Sequence, residues 1–364
     1  MVANLDEEDR YRSSPPTAQH SSATYRALAV AGSLLRIHAT DGAQLWLPAP
    51  LSPERCPPIA GVSTVSFEVG RPTTFERADY WWMTPIEDTE RAAAVARALP
   101  RPFAHECARA AGRVLPGSSV IDADAVTALE WMRVLREAAT HSTLGCWVVK
   151  PSYTAAGRDQ IRGSSDPDSG DASAAWQRLR GRGTLVVEPW MERLADFGAV
   201  GSVDDNGAIA LVGLHELLVD AAGRFRGIRC ARDPMRPPSL TPNEVEPLEA
   251  TFAMVGGRLA DLGFRGPFGI DAYRYRGHDD QIHFHPLCEI NPRTSFGRIT
   301  RTWVDGWIDG TIAADAPPAP DAEVFELRFG RATRAHDETR ARTPSLTLVE
   351  ARSRNDGWVT LHSR

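Results

Sequence analysis

The sequence predicts an α/β (α+β) protein built from several units, and three observations support this prediction. The chain has 364 residues, enough for roughly two or three compact units. Hydrophobic residues make up 42% and charged residues 24%, which is typical of a globular protein. Short apolar runs of strand length alternate along the chain with longer stretches of helical composition.

Charge and cysteine usage exclude several classes of function. The formal net charge is −6, whereas nucleic-acid and membrane-surface binders need a basic face. No apolar run approaches the roughly 20 residues that span a bilayer, and the N-terminus lacks the pattern of a signal peptide. The five cysteines are scattered and form no Cys-x-x-Cys pair, which is typical of reduced thiols. We therefore expect a cytoplasmic protein with small-molecule partners.

The first 115 residues predict a tail followed by an N-terminal α/β domain. Residues 1–24 are polar without an apolar period, which favours a mobile tail, and the domain occupies residues 25–115. Its short apolar stretches predict strands and turns, although the first is equally compatible with a helix: Ala27–Ile37, Ala43–Leu47 and Thr64–Val69. Helices are predicted over Thr89–Leu99 and Phe103–Leu115, each stopped by a proline.

Residues 116–187 predict a small central unit, and residues 188–320 a larger one. The small unit begins with a helix over Ala125–Ala139, capped by Asp122 or Asp124, and a buried strand over Cys146–Val149. A polar Gly/Ser-rich loop over Ser152–Gly170, a short helix over Ala172–Leu179 and a second strand over Thr184–Val187 follow. The larger unit contains two strands, a helix and two strands joined by a turn: Phe197–Val203, Ala208–Leu218, Pro247–Leu262, Phe268–Tyr275 and Gln281–Ile290. Residues 321–364 predict a β extension with strands Val324–Phe329, Ser345–Glu350 and Trp358–Leu361.

The chain contains a single lysine, Lys150, among 41 basic residues. It follows a buried strand and precedes a loop of small residues that starts at Pro151. An ammonium group beside the backbone N–H groups of such a loop suits a polyphosphate. The plain alternative is a surface lysine beside an ordinary loop. The pattern differs from the Walker motif, because no Gly-Lys-Ser/Thr opens a helix here.

A second motif, Glu188-Pro189-Trp190-Met191, ends the next apolar strand. Its glutamate can accept a hydrogen bond from an exocyclic amine, and its aromatic residue offers an apolar wall for a flat ring. Asp196 follows a few residues later and could meet ribose hydroxyls. A strand edge with solvated acids is the alternative for both.

The predicted strands at residues 268–275 and 281–290 carry the third motif. Glu289 and Asn291 project to the same side of their strand because side chains alternate. Antiparallel pairing across the short turn can set Asp271 beside them. Two carboxylates and an amide oxygen on one sheet face make a hard-oxygen site that suits Mg²⁺. The sequence therefore predicts that Asp271, Glu289 and Asn291 bind metal.

The order of a phosphate lysine, a loop, an adenine-type strand and a carboxylate hairpin resembles the ATP-grasp superfamily of carboxylate–amine ligases. The resemblance covers about residues 103–301, and Lys150 with Glu289-Ile290-Asn291-Pro292-Arg293 carries most of it. It implies an ATP-grasp fold with an N-terminal α/β pre-ATP-grasp domain, a small central lid subdomain and a larger C-terminal antiparallel-sheet subdomain. It also implies ATP and Mg²⁺ as cofactors, with two metal ions and Mn²⁺ as a substitute.

The resemblance assigns roles to individual residues. Lys150 would bind phosphate, and Asp271, Glu289 and Asn291 would match the magnesium ligands. Arg293 would stabilise the acyl phosphate or hold a substrate carboxylate. The γ-phosphate loop would contribute Ser152, Ala156, Gly157 and Arg158. The adenine hinge would contribute Glu188, Trp190 and Met191, and Asp196 would bind the ribose. Arg109 or Arg113 would replace a second lysine that this chain lacks.

The resemblance implies a ligase that forms an amide through an acyl phosphate and releases ADP and phosphate. Two alternatives stay open: a phosphotransferase of the same fold and a nucleotide-binding regulator without turnover. Both a monomer and a homodimer are compatible with the sequence. The aromatic run Tyr80-Trp81-Trp82, with Tyr153, is a candidate for substrate choice. His215 is expected to be a packed histidine, and His283 and His285 are expected to be exposed on a hairpin.

Overall fold

The N-terminal part of the computed structural model combines helices with a small parallel sheet. The structure describes residues 21–62, 64–70, 89–153, 159–166, 169–220, 225–237, 239–312, 321–331, 344–353 and 356–363. Helix α1 (Ser22–Gly32) is followed by a 3₁₀ turn (Ser33–His38), so the first apolar stretch is helical. Strands β1 (Ala43–Leu47) and β2 (Val65–Val69) pair in parallel, and helices α2 (Thr89–Ala98) and α3 (Arg101–Ala110) follow.

Residues 119–189 form a four-stranded antiparallel sheet with two covering helices. Its strands are β3 (Ser119–Asp122), β4 (Cys146–Pro151), β5 (Ile161–Ser164) and β6 (Thr184–Pro189), in the order β3-β6-β4-β5. Helices α4 (Ala128–Thr140) and α5 (Asp171–Leu179) cover one face, where Trp131 and Trp147 are buried. The opposite face carries Lys150 and Glu188.

Two predictions for this region were wrong in detail. Helix α4 is capped by Thr127 in a capping box with Glu130, not by Asp122 or Asp124. The Thr127 side chain accepts the first-turn N–H, and Glu130 binds back to the cap, so the helix starts three residues after the predicted position. Strand β5 lies inside the segment predicted to be a loop, where it pairs with β4.

An eight-stranded antiparallel sheet makes up most of the remaining chain, in the order β11-β10-β7-β8-β9-β12-β14-β13. The strands are β7 (Glu192–Val203), β8 (Ile209–Val219), β9 (Phe225–Ala231), β10 (Gly266–Arg276), β11 (Ile282–Asn291), β12 (Val324–Arg331), β13 (Ser345–Val349) and β14 (Gly357–Ser363). Strand β12 pairs with β9, so the C-terminal strands extend this sheet. Strands β3 and β9 were not predicted from the sequence.

Helices α6 (Pro242–Asp261) and α7 (Phe296–Ile308) pack on the two faces of this sheet. On one face, the ring of Phe252 in α6 stacks on Phe268 with centroids 4.3 Å apart. On the other face, Trp303 in α7 is buried and donates a hydrogen bond to the carbonyl oxygen of Leu34, 3.1 Å away. This contact joins the N-terminal part to the sheet. Across the described ranges, none of the helices has both the length and the apolar character needed to cross a membrane.

Candidate nucleotide and metal site

Lys150 and Glu188 form a buried ion pair on the open face of the four-stranded sheet. Strands β4 and β6 pair with Val148 opposite Glu188, which brings the Lys150 ammonium to the carboxylate. Only 4% of the Lys150 side chain and 12% of the Glu188 side chain are exposed. Burial would raise the pKa of Glu188, but Lys150 outweighs it and holds the pKa below its usual value. Lys150 is therefore not a surface lysine.

The segment after Glu188 is lined by aromatic rings and guanidinium groups. The Arg162 guanidinium lies 3.6 Å from the centre of the Trp190 ring, and Arg193 lies 4.0 Å from the centre of the Tyr273 ring. Arg193 also donates a hydrogen bond to Asp196, with an Nη1–Oδ1 distance of 2.9 Å. Flat, stacked groups of this kind form a surface on which a planar base can lie. Met191, the last residue of the predicted hinge, is buried nearby with Tyr273.

Asp271, Glu289 and Asn291 lie together on two paired strands. The register of β10 and β11 sets Asp271 opposite Glu289 and Gly269 opposite Asn291. The Asn291 amide donates to Asp271, with an Nδ2–Oδ2 distance of 3.2 Å. The structure thus brings all three predicted metal ligands to one place.

A divalent cation would neutralise the negative charge of these two carboxylates. Burial and the neighbouring charge of Glu289 raise the pKa of Asp271 to about 7. Two adjacent carboxylates therefore resist ionising together without a cation between them. In the part of the chain that the structure describes, no three His, Cys, Asp or Glu side chains converge. Two carboxylates with an amide oxygen fit Mg²⁺, which takes oxygen ligands and keeps several waters.

Arginines supply positive charge next to the carboxylates. Arg101, at the start of α3, is buried and its Nη1 lies 3.1 Å from Glu289 Oε2. Arg293 is buried, and its charge lowers the pKa of Asp271. From the sequence, Arg101 was not named, and Arg109 or Arg113 was predicted to replace a second lysine. Both of these are exposed, and Arg109 acts electrostatically on His105.

Lys150 and Glu188 line one small cavity together with Arg101 and Cys288. Burial raises the pKa of the Cys288 thiol to about 12. Because Arg101 also pairs with Glu289, the two predicted halves of the site lie in one region.

The predicted γ-phosphate loop is described only at its ends. Ala156, Gly157 and Arg158 lie outside the described residues, as do Tyr80, Trp81 and Trp82. Ser152 precedes the gap: its hydroxyl donates to the carbonyl oxygen of Thr184 at 2.6 Å, and its own carbonyl accepts from the Arg101 N–H at 3.1 Å. The loop thus starts beside the first turn of α3.

The histidines differ from one another in burial. His215 is buried, as expected, and burial lowers its pKa to about 4. Its ring leans over Gly198, where a Cβ atom would lie 2.6 Å from Nε2, and lies against Gly297 at the start of α7. The expectation for His285 was wrong: it lies opposite Tyr273 on the face that carries Asp271 and Glu289, where it is buried, and burial lowers its pKa to about 4. His283 is exposed and binds Asp279.

No protein-family model matches the sequence, and a comparison with curated proteins also finds no match. Solved structures do resemble the chain. N5-carboxyaminoimidazole synthetase from Staphylococcus aureus matches with a TM-score of 0.55 and 11% identity over 93% of this chain and 90% of that one. The ADP complex of purK, an N5-carboxyaminoimidazole ribonucleotide synthetase, matches with a TM-score of 0.51 and 12% identity over 88% and 85% of the two chains.

A third similar structure, D-alanyl-alanine synthetase A from Vibrio cholerae, has a TM-score of 0.41 and 12% identity over 57% of this chain. The match spans 58% of that enzyme's length. At these identities the similarity defines the fold. The chain has the ATP-grasp fold, an α+β architecture in which helices pack on antiparallel sheets.

Proposed function

We propose that this chain is an ATP-dependent ligase that activates a carboxylate as an acyl phosphate and joins it to an amine, with release of ADP and phosphate. The observation that carries the proposal is the convergence of Asp271, Glu289 and Asn291 beside Arg101. The ATP-grasp fold and the ADP-bound structural neighbour support a nucleotide at this position.

Mg²⁺ would be held by the Asp271 and Glu289 carboxylates and the Asn291 amide oxygen. When bound, it neutralises charge on the phosphate oxygens and orients them. Two ions fit the proposal, because phosphates supply most of the remaining ligands. Mn²⁺ shares the preference for oxygen ligands and is the expected substitute.

The chain's own residues would position the reactants and balance charge. Lys150 would bind phosphate oxygens with its ammonium, and Glu188 would hold that ammonium in place and accept from the adenine amine. Arg101 would contribute the second cation, a role that the sequence analysis gave to Arg109 or Arg113. Arg293 would stabilise the charge that develops during acyl transfer, because a guanidinium binds two oxygens at once. No residue is assigned as a base for the amine.

The remaining nucleotide contacts are also proposals. Trp190 and Met191 would form the wall of the adenine site. Asp196 would bind the ribose after its hydrogen bond with Arg193 is broken. Ser152, with the loop residues Ala156, Gly157 and Arg158, would close over the γ-phosphate.

Residues 116–187 are proposed to form the lid, and residues 188–320 the large subdomain. Residues 321–364 are proposed to extend the sheet of the large subdomain. All five cysteines are unpaired, which supports a reducing compartment such as the cytoplasm. A homodimer is compatible with the proposal.

The test is an ADP-release screen of amino acids and small carboxylates, each paired with candidate amines and run with MgATP. The proposal expects ADP, free phosphate and an amide in equal amounts. A lasting phosphorylated product would instead identify a phosphotransferase, and tight ATP binding without ADP release across the panel would identify a regulator.

Glu289→Gln supplies the control for this screen. It removes one carboxylate without changing side-chain size, so we expect ADP formation to fall at least about 100-fold while the circular-dichroism spectrum is unchanged. Glu246→Gln, at an exposed position of α6, should keep full activity. Full activity of the Glu289 variant would contradict the metal assignment.

A further inference from the structure

A cavity of about 500 Å³ lies between α3 and the part of the four-stranded sheet where β4 ends and β6 begins. It is bounded by the α2–α3 connection, the end of α5, and the segment that follows Lys150. Its size is in the range of sites that bind small organic molecules. None of the residues proposed for metal binding lines it, and of the residues proposed to contact the nucleotide only Ser152 does.

Helix geometry separates this cavity from the metal ligands. Phe103 and Glu106 line the cavity, while Arg101, on the same helix, reaches Glu289. At about 100° per residue, Phe103 and Glu106 lie about 200° and 140° around α3 from Arg101. The first turns of α3 therefore stand between the cavity and Glu289, so a molecule bound here would lie apart from the metal ligands and would share only Ser152 with the proposed nucleotide contacts.

The charges around the cavity favour an anion. Three arginines and two acids line it, a formal charge of 3 − 2 = +1: Arg97, Arg178, Arg182, Glu106 and Asp159. Arg178 lies 3.6 Å from Asp159, which leaves Arg97 and Arg182 to set the balance against Glu106. Among the described residues, the Arg182 side chain has no ion-pair partner.

Most of the rest of the wall is apolar. Phe103 and Tyr153 offer aromatic surface beside prolines and aliphatic side chains: Pro100, Pro102, Pro151, Val120 and Leu179. Ser152, Gly183 and Thr184 complete the lining. A fully hydrated inorganic ion would gain nothing from these groups. A ligand with a flat or aliphatic body and one anionic group would use both kinds of wall.

We infer that this cavity is a second binding site, separate from the nucleotide site, for an organic anion with an apolar body such as an aromatic carboxylate. The bound molecule would contact α3, α5 and the residues after Lys150 together. It would thus bridge the N-terminal part and the four-stranded sheet.

The test uses 4-fluorobenzoate as the probe and 4-fluorobenzamide as its neutral isostere, with binding to the full chain followed by ¹⁹F NMR. We expect saturable binding of the benzoate and at least tenfold weaker binding of the benzamide. Arg182→Gln should weaken benzoate binding about two- to fivefold, as expected for a partly exposed ion pair. The combined Arg178→Gln and Arg182→Gln variant should weaken it further.

Arg180→Gln is the matched control, since Arg180 is exposed beside Arg182 but lies against Trp176 and does not line the cavity. It should bind the benzoate normally. Saturating MgADP should leave the benzoate bound. The inference is overturned by equal binding of the two probes, by an Arg182 variant that matches wild type, or by displacement with MgADP. Because no turnover is measured, these outcomes are independent of the ADP-release screen.

Discussion

The buried pair of Lys150 and Glu188 offers a direct test of the site's electrostatics. Lys150→Met removes the ammonium but keeps an unbranched side chain of similar length. Glu188 then remains in a place where 12% of its side chain is exposed and burial opposes its charge. Removing one partner of a buried pair costs about 3–5 kcal/mol, and we expect a loss of this size in the free energy of unfolding at pH 7.5.

The pH dependence of the variant should also change sign. In the wild type the pKa of Glu188 is lowered, so its contribution to stability is present above about pH 4.5 and is lost as the pH falls through the folded pKa. Without Lys150, burial would raise this pKa, and the folded variant would bind a proton that the unfolded chain has released. Its stability should therefore fall as the pH rises above about 4.5.

Urea unfolding followed by tryptophan fluorescence measures both effects. Glu188→Gln alone should also be destabilising, because it leaves the ammonium buried without a counter-charge. The double variant should be more stable than the sum of the two single losses predicts, by about 1–3 kcal/mol of coupling energy. A Lys150→Met protein within 1 kcal/mol of wild type, or single losses that simply add, would refute the buried-pair interpretation.

Three further predictions concern activity, packing and acid stability. Lys150→Arg should lose ADP-forming activity despite keeping the charge, because the guanidinium fork is larger than the ammonium at a buried position; normal turnover would contradict this. Gly201→Ala should destabilise by about 1–3 kcal/mol in urea unfolding, since its Cβ would lie 2.0 Å from a backbone oxygen of β8, whereas Gly257→Ala, with open space around it, should not. His215 and His285 have pKa values of about 4, so the stability they contribute should be full above about pH 6.5 and fall toward pH 4, and His215→Gln should flatten this decline.

The carboxylate hairpin could be predicted because its geometry is local. Side chains alternate on a strand, so the spacing of Glu289 and Asn291 puts both on one face. The short turn between the two strands then fixes which residues pair, and Asp271 lies opposite Glu289. The strand before Lys150 was predicted to be buried, whereas a surface position stayed open for the lysine itself, and the structure buries both.

The contact of Arg101 with Glu289 could not be predicted from local strand geometry. Its partner, Glu289, is 188 residues away in the sequence, and nothing local indicates which arginine of α3 turns toward it. Arg109 was an equally reasonable choice on composition. The packing of α3 against β11 decides between the two, and that packing is a tertiary property.

Helix α7 and the burial of His285 were not predicted, although the sequence carries a signal for each. Helix α7 was missed although Ile299, Trp303 and Trp307 recur at helical spacing and are all buried. His285 stands at even spacing from Glu289 and Asn291, so strand alternation places it on the face of the predicted metal ligands. The bulge sets three residues of β11 opposite one residue of β10, an offset of two that keeps His285 on this face.

The charge balance of the site indicates how it would accept a nucleotide. Lys150 pairs with Glu188 and Arg101 pairs with Glu289, so these two positive groups already have carboxylate partners. A triphosphate alone would therefore add negative charge to a balanced, buried site, which is unfavourable. A triphosphate that arrives with divalent cations restores the balance and gives the carboxylates their counter-charge. Under the proposed function, the carboxylate pair would therefore make the site selective for the metal-bound form of the nucleotide.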